Sequence, residues 1–133
     1  MKSTTRISIG LAVQIIAILF SLMSWTDPLE GGVAMVLAIG VQGFAFAIGR
    51  VGIPKLTWMS SAAGVALMIV FWVAYINEVP NDPTQVETFQ PSAVIMALLW
   101  AYRVASIAFI SGAVFYAVIQ FTALRGIKPA GDK

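Results

Sequence analysis

The chain has 133 residues, 59% of them hydrophobic and 11% charged, with a formal net charge of +2. That composition is too apolar and too sparsely charged for a soluble domain, and the length allows one domain, 1–133, with no separate soluble module. The absence of cysteine and histidine removes disulfides and thiolate metal sites, together with the usual haem and iron–sulfur ligands.

The first apolar run, about 7–25, follows the basic Lys2 and Arg6. At ~1.5 Å rise per residue it covers about 29 Å, one hydrocarbon core. No small-x-small cleavage site follows it near Trp25, so it reads as a retained span rather than a signal peptide. Asp27, Pro28 and Glu30 supply a capping acid, a proline for the first helical position and an acid three residues after the cap, which predicts a tight hairpin into a second span, about 31–49. Gly49, Gly52 and Pro54 break that helix, and Pro54 opens a third span, about 55–76. Residues 77–90 hold two prolines and three acids and form the one substantial loop.

The last apolar stretch, Ser92 to Leu124, is 33 residues long, about 50 Å as a helix and too long for a bilayer core of about 30 Å. Arg103 and Arg125 are 22 residues apart, about 33 Å, which places one arginine at each interface. The expected span is therefore 103–124, with 91–102 as a short outer interfacial helix and Trp100, Tyr102 and Arg103 as an outer belt. An echo between Phe46–Lys55 and Phe121–Pro129 reads as two helix exits that share basic and Gly/Pro residues.

Charge settles the expected orientation. Basic gaps (Lys2 and Arg6; Arg50 and Lys55; Arg125 and Lys128) alternate with acidic ones (Asp27 and Glu30; Glu78, Asp82 and Glu87). Basic gaps mark the cytoplasmic side. The expectation is an all-α integral membrane protein, a four-helix transmembrane bundle of the plasma (inner) membrane with both termini cytoplasmic. The same bias accounts for the net positive charge and leaves no nucleic-acid partner to infer.

The polar residues inside the spans are few. Gln14 and Gln42 fall at matched depth on neighbouring helices, where two amides can satisfy each other or, in the carrier alternative, mark a polar point on a solute path. Small residues four apart (Ala45 and Gly49, Ser60 and Gly64, Ala108 and Gly112) predict close helix packing. Phe71, Trp72 and Tyr75 read as an outer aromatic belt. Arg103 reads as an interfacial anchor, or as a cation for a lipid phosphate, an anionic solute or an acidic partner.

No Asp or Glu lies within an expected span, which argues against proton-coupled carriers and the small multidrug exporters. No mid-span lysine offers a retinal Schiff base, and no nucleophile, base and oxyanion group share a face. The expectations are no catalysis, no cofactor and no metal. The expected role is an accessory subunit or assembly factor of a membrane complex, in contact with lipid and with other subunits or its own copies. A small oligomeric channel or carrier for a lipid or neutral solute is the alternative.

Overall fold

A computed structural model describes residues 2–26, 28–79 and 90–131, with side chains as far as Gly126. Four helices, α1 (Ser3–Met23), α2 (Glu30–Gly49), α3 (Lys55–Glu78) and α4 (Ala93–Gly131), account for nearly all of it. All four are long and apolar enough to cross a membrane, and no strand occurs among the described residues.

The breakers act locally. α2 begins at Glu30, two residues after Pro28, so Pro28 and Leu29 form the turn instead of the first helical positions. Asp27, expected to cap this helix, lies outside the described residues, as does the 80–89 part of the expected outer loop. α2 ends at Arg50, which takes a left-handed conformation (φ 59°) while its N–H donates to Phe46 O at 2.7 Å. That closure normally uses glycine. The Phe46–Lys55 and Phe121–Pro129 echo therefore ends differently, because α4 continues past Arg125 where α2 stops. Pro54 caps α3, and its carbonyl accepts the Thr57 and Trp58 N–H groups. Ser92 Oγ accepts the Ile95 N–H at 3.3 Å, an N-cap for α4, and donates to Glu78 Oε2 at 2.9 Å.

The expected separate outer helix over 91–102 is not found. α4 is one helix of 39 residues without a break at Tyr102 or Arg103, about 58 Å long. Nothing in Ala93–Arg103 interrupts a helix: there is no glycine or proline, and Ser92 has already capped it.

The helices pack antiparallel in the circular order α1, α2, α3, α4. α1 lies against both α2 and α4, α3 lies against α4, and of the neighbours in this order α2 and α3 touch least. α1 and α2 approach closely at Gly10 and Gly49, where a Cβ added to Gly10 would fall 2.9 Å from Ala45 O. Gly112 does the same for α3 and α4, since its Cβ would fall 2.7 Å from Ser60 Oγ. The small-residue pairs thus sit at real helix crossings, with Gly10 as a partner that the spacing alone did not name.

α3 is displaced along the bundle. Thr57, two residues from its start, reaches Gly112 O at 2.7 Å, and the neighbouring Ala113 O lies level with Gln14. From Gln14 back to Ser3 is 11 residues of α1, and since α3 begins only two residues before Thr57, about 13 Å of α1 runs without it. At the opposite end Tyr102 is level with Ser24, so Ala93–Ala101 projects about 13 Å beyond the α1–α2 turn, alongside the last turns of α3. The length of α4 is explained by this stagger, because it alone spans both offsets.

Burial is inverted relative to a soluble bundle. Gln14, Ser21, Ser24, Ser106 and Gln120 are fully buried, whereas Phe44 (68%), Val104 (66%) and Leu19 (59%) are exposed. Polar groups inside and large apolar side chains outside is the arrangement that lipid selects. The apolar core is small: Met35, Ala38, Tyr102 and Phe109, packed by Phe20, Val65 and Met68.

Candidate functional site

The polar side chains form a ladder along the buried face of α4. Tyr102, Ser106, Phe109, Ala113, Tyr116 and Gln120 follow each other at spacings of four and three, the periodicity of a helix seam.

At the middle rung Gln14 Nε2 donates to Gln42 Oε1 and to Ala113 O, both at 2.9 Å. One amide therefore uses both of its hydrogens to join α1 to α2 and to α4. The expected pairing of Gln14 with Gln42 is present, and α4 is a third party to it. A carbonyl already used in a helix has a second lone pair, so Ala113 O accepts without breaking α4. Gln14 Oε1 is buried and has no hydrogen-bond partner among the described residues.

The rung at the α1–α2 turn is made of hydroxyls. Ser24 Oγ donates to Ser21 O at 2.6 Å and lies 2.7 Å from Ser106 Oγ. A hydroxyl has one hydrogen, so with Ser24 committed to Ser21 the Ser106 hydroxyl is the donor of that pair. Tyr102 Oη donates to Ser24 O at 2.7 Å. At the other end Tyr116 Oη donates to Val51 O at 2.6 Å. The two tyrosines, 14 residues and about 21 Å apart on α4, thus hold the α1–α2 turn and the α2–α3 connection. On α3, Thr57 donates to Gly112 O, and Ser60 and Ser61 donate to Thr57 O at 3.0 and 2.8 Å.

Arg103 lies beside this ladder, near the α1–α2 turn. Its guanidinium carbon is 5.6 Å from the Trp25 ring centroid and 5.0 Å from that of Trp100, and one N–H reaches Thr26 O at 3.0 Å. Each ring contact is worth about 0.5–1 kcal/mol at an exposed site. Trp100 is exposed and belongs with Arg103, but Tyr102 is fully buried and faces the bundle instead of an outer belt. In a helix, consecutive residues point about 100° apart, and Tyr102 is the one on the seam. Phe71 departs from the expected belt in the same way: it is buried and stacks on Tyr75 at 5.6 Å. Trp72 Nε1 donates to Pro28 O at 2.8 Å.

Opposite the α1–α4 seam a cleft of about 410 Å³ opens between α2 and α3. Its walls include Gly32, Val36, Met68, Trp72, Val73 and Ile76. Its only polar group, the Trp72 indole N–H, is already bonded to Pro28 O.

Reading the polar residues singly drew attention to Gln14, Gln42 and Arg103. It passed over Gln120, Tyr116, Ser24 and Thr57. The signal for Gln120 and Tyr116 was their seven-residue phase with Ala113 and Phe109 on α4, which picks out the seam without naming the partners. Comparisons with protein-family models, with curated proteins and with solved structures find nothing that matches this chain.

Proposed function

We propose that the chain is a non-catalytic accessory subunit or assembly factor of a membrane complex, and that it holds a partner subunit along its α2–α3 face. In this reading it lies in the plasma membrane with both termini in the cytoplasm, because its basic gaps fall at one end of the bundle. The first turns of α4 rise at or above the outer headgroups, with Arg103 at the interface.

The observation that carries the reading is the contrast between the two sides of the bundle. The α1–α4 side is tied by the Gln14, Ser106 and Tyr102 hydrogen bonds. The α2–α3 side has a laterally open cleft whose lining is apolar. A polar solute crossing the middle would have to displace the two bonds donated by Gln14, whereas an apolar helix can lie in the cleft without breaking anything. The side chains on the ladder are neutral amides and hydroxyls bonded mainly to carbonyl oxygens, a set that orders helices but offers no acid or base near neutral pH.

The second reading is a small oligomeric carrier or channel for a lipid or neutral solute. It draws on the same cleft, which opens sideways and whose volume falls in the range of small-molecule pockets. A photo-crosslinker placed at Val73, followed by purification in mild detergent, separates the two. A stoichiometric second protein, captured from Val73 but not from Ile15 on α1, supports the subunit reading. A homo-oligomer, or lipid adducts alone, overturns it in favour of the carrier.

A further inference from the structure

We propose that the α1–α4 seam, between Gln14 and the basic end of the bundle, holds ordered water bound by the Gln120 amide and by Gln14 Oε1. Gln120 is fully buried, and neither its Nε2 nor its Oε1 has a hydrogen-bond partner among the described residues. Gln14 Oε1 is in the same condition on the same seam. An amide left unsatisfied inside a lipid-facing bundle is destabilising, and bound water is the usual way such a buried group is satisfied.

The neighbours of Gln120 do not supply the missing bonds. Tyr116, one turn away, gives its hydrogen to Val51 O. Gln120 lies seven residues beyond Ala113, which puts it about 10 Å from the Gln14 bond and level with Ile7 on antiparallel α1. Ile7 is buried and offers only carbon. Arg6, next to it in the chain, points about 100° away, and its guanidinium donates to Ser3 Oγ at 3.4 Å. α3 starts too far along the bundle to cover this stretch.

The chemistry selects the ligand. The unmet groups are two amide oxygens and the two hydrogens of Gln120 Nε2. An anion would be repelled by the two oxygens, and a purely donating cation would leave the N–H groups unmet. Water both donates and accepts, so it can meet each of these amides. Gln120 is five residues from Arg125, about 7 Å along α4, so the site lies within reach of the basic surface. At the other end the Ser24, Ser106 and Tyr102 hydroxyls are all paired, which makes the hydrated stretch blind rather than a through-channel. This inference stands independently of the partner reading.

The test is polarisation transfer from water protons in solid-state NMR, on the full chain labelled with ¹⁵N in glutamine and embedded in deuterated phosphatidylcholine bilayers. Gln120→Met, or Gln120→Asn if the first variant does not fold, assigns the Gln120 side-chain signal. With bound water, that signal grows as fast as the signal of exposed Gln90. Growth no faster than that of helix-core amides overturns the proposal. Thermal unfolding gives a second reading of opposite sign for the two cases. If water satisfies the amide, Gln120→Met lowers Tm by several degrees; an unchanged or raised Tm means that the amide was simply orphaned, and the proposal falls.

Discussion

The Tyr102 hydroxyl donates to Ser24 O at 2.7 Å, which fastens α4 to the end of α1. Ser24 follows the final turn of α1, where carbonyls lack helical partners, so Tyr102 acts as a cap supplied by another helix. Tyr102→Phe keeps the packing against Met35 and Phe109 and removes this bond. A loss of about 1 kcal/mol is expected, read as a fall in Tm of a few degrees in detergent. A Tm equal to that of the unmodified protein would mean that the bond contributes nothing.

The Gln14 bonds predict an asymmetry. Gln14→Leu removes links to both α2 and α4, whereas Gln42→Leu removes only the first. Gln14→Leu should therefore be the more destabilising. The double variant should cost less than the sum of the two, with a coupling of roughly 0.6 kcal/mol or more. Strict additivity in chemical denaturation would show that the two amides do not meet.

Glycines on opposite faces of the helices should respond with opposite signs. A Cβ at Gly10 would meet backbone atoms, Ala45 O at 2.9 Å and Gly49 Cα at 3.1 Å, while one at Gly40 or Gly43 meets nothing within 4 Å. Gly10→Ala must push α1 from α2 and should destabilise. Gly40→Ala adds helix propensity, about 1 kcal/mol in favour of the fold. Measured side by side, these two variants should move Tm in opposite directions, and a stabilising Gly10→Ala would contradict the packing described.

Orientation is open to direct labelling, because the chain has no native cysteine. Gly52 is in the α2–α3 connection, where an added side chain meets nothing within 4 Å. Gly52→Cys should stay unlabelled by a membrane-impermeant maleimide in intact cells, and Asp82→Cys should react. The converse result would reverse the charge argument.

What could be read from the residues was whatever a helix settles with its own atoms. In lipid a helix satisfies its backbone internally, so run length and the punctuation at Pro28, Gly49 and Pro54 already implied four membrane-crossing helices. Matched depth paired Gln14 with Gln42 for the same reason, since depth follows from counting along each helix. Helix rotation and axial offset are different quantities. These helices are apolar all round, and lipid tails favour no face over another. Their orientation is therefore decided by close contacts such as Gly10 with Ala45 and Gly112 with Ser60. Those contacts turned Tyr102 and Phe71 inward, set α3 off along the bundle and gave the long α4 its use. They also placed the Gln120 amide where no described neighbour meets its hydrogen bonds, which no count along a single helix could show.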